Sequence, residues 1–165
     1  MCLARDAAAR WGRWAVYAAI AASLPWAVIR LCWFAGIPLG LDHPFSWGAA
    51  DPGPVKYVFA SLPIGGALLT LGLIQRWGEV FPRWLPLVGG RRVPPALATV
   101  PATFVGLAVT SAGTKLFARV AAELISGRFD YANWGTHLPA FFFLPWGVSL
   151  GLATLAYHVR RTACA

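Results

Sequence analysis

Four stretches of this chain, residues 14–38, 57–75, 93–114 and 136–157, are apolar for about 20 residues each and are bounded by basic residues, proline or glycine. A helix rising about 1.5 Å per residue needs about 20 apolar residues to cross a hydrocarbon core roughly 30 Å thick. It also satisfies its own backbone N–H and C=O groups there, which an irregular chain does not. The four runs therefore predict an all-α, polytopic bundle of four transmembrane helices, a single integral membrane domain over residues 1–165. Residues 39–56, LGLDHPFSWGAADPGPVK, read as a loop from their Gly, Pro and Asp content. In residues 115–135 the third run continues as a helical extension. Lys115, Arg119 and Glu123 fall four apart on one face, and Gly127 is the expected stop.

Composition excludes the soluble alternative. Only 12% of residues are charged and 58% are hydrophobic, against about 25% charged in ordinary soluble domains. Fourteen basic and six acidic side chains do not cover a surface while nine Trp and ten Phe seek burial. The first run follows Arg5, Arg10 and Arg13 in the manner of a signal peptide. It lacks a small-residue cleavage site and continues to Leu41, so it reads as a retained helix. The net charge of +8 suits nucleic acid in principle, but the arginines sit at the ends of apolar runs. That placement points to anionic lipid headgroups and to no nucleic-acid partner.

The same arginines orient the chain. Arg5, Arg10, Arg13, Arg76, Arg83, Arg91, Arg92, Arg160 and Arg161 fall on one side of the predicted spans, and Lys56, Lys115, Arg119 and Arg128 on the other. Nine against four predicts a plasma-membrane protein with both termini and the 76–92 loop in the cytoplasm. That loop, RWGEVFPRWLPLVGGRR, combines charge with Trp77, Phe81, Trp84, Leu85 and Leu87, groups that settle at headgroup level. Pro82 and Pro86 prevent a long helix, so the loop is expected to lie flat in the inner interface, with Glu79 and Arg83 paired four apart. Arg76, Arg83, Arg91, Arg92, Trp77 and Trp84 are the expected contacts to anionic lipid or to a membrane-protein partner. Gly89-Gly90-Arg91-Arg92 also precedes Val93-Pro94-Pro95, where proline suits a helix start and free N–H groups favour an anion. The P-loop pattern is absent, so this is no nucleotide loop.

The block QRWGEVFPRWLPLVGGRRVP, followed by LATVPATFVGLAVTSAG, resembles a family of small integral membrane proteins of high-GC actinobacteria. The resemblance runs from about Gly12 to Arg161 and takes in LPWAVIRLCWFAGIPLGL and LATLAYHVRR. It implies membrane location and the four-span topology, and no catalytic residue.

Within the spans, Arg30 stands out because a guanidinium at mid-membrane costs about 2.5 kcal/mol or more. Its position lets it snorkel to the outer headgroups, with Trp26, Trp33 and Phe34 on its face for stacking. The alternative is an anion or substrate contact inside the bundle, partnered by Asp42 or Glu123. Ala98, Ala102, Gly106 and Thr110 form a small-residue stripe, and Gly147-x-x-x-Gly151 is its counterpart in the fourth span. Small residues let helices approach closely in lipid. Thr99, Thr103, Thr110, Ser111 and Thr114 line a polar path only if their hydroxyls do not bond back to their own helix. Asp42, His43, Asp51, Glu123, Asp130 and His137 gather on the outer side without ligand spacing. Cys2, Cys32 and Cys164 show none either and are expected as free thiols. Neither metal nor cofactor is expected. Ser23-Leu24-Pro25, Ser61-Leu62-Pro63, Thr99-Val100-Pro101 and His137-Leu138-Pro139 recur every 38 residues. Little else aligns at that period, so the recurrence reads as coincidence, although each proline predicts a kink.

Three function classes remain. A structural or partner-binding membrane component needs only packed helices and an interfacial surface, and the sequence favours it. A small transporter or channel subunit acting as an oligomer is the alternative, marked by a polar cavity reaching mid-membrane. An intramembrane enzyme requires a nucleophile with its base or a ligand cluster, and no catalytic residue is apparent.

Overall fold

The computed structural model describes residues 2–44, 46, 53, 55–75, 78–81, 86 and 89–162, without the side chains of 2–6 and 55–63. Four α-helices run through it: α1 (Cys2–Phe34), α2 (Val55–Gly72), α3 (Pro95–Ile125) and α4 (Leu138–Thr162). A 3-10 turn, Trp134–His137, leads into α4. Among the described residues there is no strand, only an isolated antiparallel bridge between Val80 and Arg92. Three segments, Ala7–Phe34, Pro95–Ile125 and Trp134–Thr162, are long and apolar enough to cross a membrane. In α3 only 11% of the most apolar window is buried within the chain, so that face must find an apolar environment elsewhere.

The helix ends differ from the hydropathy boundaries for local reasons. α1 begins twelve residues before Trp14, because Ala and Leu around Arg5, Arg10 and Arg13 are strong helix formers whatever their hydropathy. It stops at Phe34 rather than at residue 38, where Gly36 takes φ +80° and the Ile37 N–H closes on the Cys32 carbonyl at 2.8 Å. α3 starts with Pro94 as its cap and Pro95 in the first turn, a position whose missing N–H costs nothing. It ends at Ile125, with Gly127 at φ +67° and the Arg128 N–H on the Glu123 carbonyl. The recurring prolines take no common place: Pro25 lies deep in α1, Pro101 in the second turn of α3 and Pro139 in the first turn of α4.

In space α2 packs on α1, α1 on α4, and α4 on α3. Ala15, Val16 and Ala19 of α1 meet Leu73, beyond α2, and Leu150, Ala153 and Tyr157 of α4. This core lies toward the end that carries the 73–93 connection and the C-terminal turn of α4. Close approach depends on small residues. A Cβ at Gly12 would meet that of Ala156 at 2.6 Å, and one at Gly113 would meet the Leu144 nitrogen at 2.6 Å. At the opposite end, Gly135 donates its N–H to the Gly40 carbonyl at 2.8 Å. Gly40 takes φ +70°, and a Cβ there would meet the Gly135 backbone at 2.9 Å. Two glycines thereby tie the α1–α2 loop to the turn before α4.

Candidate functional site

The connection after α2 folds back beneath the bundle. Its described residues form a narrow hairpin: the Phe81 N–H donates to the Arg91 carbonyl (3.0 Å), Gly90 to Phe81 (2.9 Å) and Val93 to Glu79 (2.9 Å). Gly78 sits so close to the end of α2 that a Cβ there would overlap the Gly72 carbonyl. Only glycine allows the turn.

The last turns of α4 fasten this hairpin. The fully buried Tyr157 donates its hydroxyl to the Gly78 carbonyl at 2.9 Å. Arg160 donates to the Leu73 carbonyl, and Arg161 to the Val93 carbonyl at 2.6 Å. Both guanidinium groups also lie over the Tyr157 ring, at 5.9 and 6.0 Å. Hydrogen bonds from a charged donor contribute about 1.5–3 kcal/mol each, more than neutral ones. The start, the turn and the exit of the connection are thus held from one helix end. Glu79 lies 3.8 Å from Arg160; Arg83, its expected partner, lies outside the described residues. So do Arg76, Trp77 and Trp84. Arg91 and Arg92 are exposed, just before the first turn of α3. The clasp is what sequence reasoning missed. Arg160 and Arg161 register there as generic membrane-end charge, and no local pattern announces partners 87 and 68 residues away.

At the opposite end Arg30 lies over the rings of Trp26 and Phe34, at 5.4 Å from each centroid. Trp26 meets Trp33 and Phe143 edge to face. Trp33 is buried and donates its indole N–H to the Leu39 carbonyl at 2.8 Å. Glu123 accepts from Arg119 at 2.9 Å and lies 3.6 Å from His137 Nδ1. His137 also stacks on Phe129, while its Nε2 is buried with no hydrogen-bond partner. Asp130 accepts from the Ala132 and Asn133 N–H groups and from the Asn133 side chain. Its pKa is lowered, chiefly by the Asn133 side-chain bond. Asp42 and His43 are exposed, and the Asp42 N–H donates to Asn133 Oδ1; Asp51 lies outside the described residues. Among the described residues no three His, Cys, Asp or Glu side chains converge as a metal site.

Between the ends, Gly106 of α3 faces Gly147 and Gly151 of α4. A Cβ on Gly147 would meet Thr110 N at 2.6 Å, whereas one on Gly151 would meet nothing within 4 Å. Beside this crossing runs a cavity of about 430 Å³ lined by Thr99, Thr103, Thr110, Thr154 and His158 among others. Thr110 and Thr154 donate to carbonyls four residues back in their own helices. Ala98 and Ala102 turn away from it, toward a second cavity of about 500 Å³ between α2 and α3.

No family model, curated protein or solved structure matches the chain.

Proposed function

We propose that this chain is a four-span integral membrane protein of the plasma membrane, with its termini and the 76–92 loop cytoplasmic, acting as a structural or partner-binding component. The clasp carries the reading. A loop that only joined two spans would need no fastening, yet Tyr157, Arg160 and Arg161 secure the hairpin at Leu73, Gly78 and Val93. Fixed in this way, exposed Arg91 and Arg92 form part of a preorganised cationic surface at the membrane face. α2 counts as the fourth span on its 18-residue length and on residues 57–72 of the apolar run 57–75, which it covers.

The test is site-directed cross-linking in native membranes from Arg91→Cys, with the Tyr157→Phe, Arg161→Met double variant as comparison. A partner trapped in the first background and lost in the second supports the reading. Labelling of position 91 by a membrane-impermeant thiol reagent in intact cells would overturn the orientation.

The Thr-lined cavity between α3 and α4 favours a second reading, a transporter or channel subunit that completes a pathway by oligomerising. Because Thr110 and Thr154 spend their hydroxyls on their own helices, that reading requires flux in reconstituted vesicles to stand.

A further inference from the structure

The bundle leaves a gap that its own helices do not fill. It is lined by α2 and α3, by Trp146 and Leu150 of α4, and by Phe81 and Val93 of the clasped hairpin. The cavity measures about 500 Å³, within the roughly 300–1,000 Å³ usual for small-molecule sites. Its lining is almost wholly apolar, and the Thr70 hydroxyl within it donates to the Gly66 carbonyl at 2.7 Å. Nothing in the cavity calls for a polar occupant.

Its depth is informative. Along α3 its lining runs from Leu97 to Val105, roughly 12 Å at helical rise. That reaches most of the way through one leaflet of a hydrocarbon core roughly 30 Å thick. It begins beside exposed Arg91 and Arg92, while Glu79, the acid of that segment, faces Arg160. An apolar slot with two exposed cations adjoining the residues that line one end of it matches an amphiphile with one apolar tail and a negative head.

We propose that this cavity holds an acyl chain of an anionic glycerophospholipid, with the phosphate taken by Arg91 and Arg92. The inference rests on the membrane reading above. The clasp fastens the segment that brings Phe81 and Val93 to the cavity. The lipid then completes the bundle on the side where α2 and α3 do not meet closely.

Gly66 supplies the test, because a Cβ added there meets nothing within 4 Å, as is also true of Gly65, which does not line the cavity. Purified protein, delipidated in detergent, is titrated with phosphatidylglycerol and with phosphatidylcholine of the same chains, and bound lipid is counted by native mass spectrometry. The wild-type chain is expected to bind one phosphatidylglycerol, with a preference over phosphatidylcholine of roughly fivefold per arginine. Gly66→Leu is expected to weaken binding roughly tenfold, the equivalent of one or two methylenes expelled, while Gly65→Leu leaves it unchanged. Arg91→Gln with Arg92→Gln should abolish the headgroup preference and keep the tail bound. Should Gly66→Leu fail to fold, phosphatidylglycerol brominated in mid-chain is used with the wild-type chain. The quenched share of fluorescence must then fall on Trp146→Phe. Undiminished binding by a folded Gly66→Leu, equal affinity for the two lipids, or quenching indifferent to Trp146 would overturn the proposal. So would conversion of a dimer to monomer by Gly66→Leu with lipid binding intact, which gives the cavity to a second copy. Carbonate extraction separates the two readings: a chain that stays in the membrane pellet yet binds no lipid overturns the site alone.

Discussion

The α3–α4 crossing allows one substitution to be placed at two positions of one motif. Gly147 and Gly151 lie one turn apart in α4, and both face α3 across Gly106. An alanine methyl at 147 would sit 2.6 Å from Thr110 N and 2.9 Å from the Gly106 carbonyl, both backbone atoms of a packed helix. Backbone does not rotate away, so the helices must separate. Overpacking of this kind costs about 1–3 kcal/mol. At 151 the same methyl enters open space and gains the helix preference of alanine over glycine, about 0.5–1 kcal/mol. The helix term is common to both sites, so Gly147→Ala should be less stable than Gly151→Ala by about 1–3 kcal/mol. The assay is unfolding in mixed micelles with a rising fraction of a denaturing detergent, followed by tryptophan fluorescence. Thr110→Ala in the Gly147→Ala background should recover only part of the loss, because the Thr110 N–H remains in place. Equal midpoints for the two alanines would refute the reasoning, since it predicts a difference from geometry at constant chemistry.

Other consequences are simpler. Tyr157→Phe removes the hydroxyl that the buried ring directs at Gly78 and should cost about 1 kcal/mol, seen as faster proteolysis within residues 78–93. Arg161→Met should add to that effect, and unchanged cleavage in the double variant would dismiss the clasp. Because Asp130 titrates below the ordinary aspartate range in the folded chain, its contribution is complete above the unfolded value and is lost as pH falls through the folded one. The protection factors of the Ala132 and Asn133 amides, corrected for intrinsic exchange, should therefore fall only in acid, and Asp130→Asn should make that response flat. Arg30→Leu, between Trp26 and Phe34, should leave assembly and any activity unchanged if the guanidinium serves only to snorkel and stack; a loss of activity with intact assembly would assign it an anion.

The elements that were legible in the sequence are those set by local chemistry. Long apolar runs announce helices, Pro94 and Pro95 announce the start of α3, and Gly127 announces its end. Charge misplaces the beginning of α1, because Arg5, Arg10 and Arg13 break an apolar window without breaking a helix. Which helix lies beside which is written in no single run. The stripe Ala98-Ala102-Gly106 divides between two neighbours, with its alanines on the α2–α3 cavity and its glycine on α4. The Gly147-x-x-x-Gly151 pair reads as a unit, yet only Gly147 is sterically required. Gly12 and Gly113 are equally silent, because their neighbours come from distant parts of the chain.

The hairpin's position has a bearing on biogenesis. Its three anchors belong to α4, so the connection between the second and third helices is synthesised well before the groups that clasp it. Until α4 docks, the described part of that segment lacks its three helix-end donors and relies on its own short ladder. Shape at this face is therefore set after α4 emerges, and faults in that step should first show as a misplaced middle of the polypeptide.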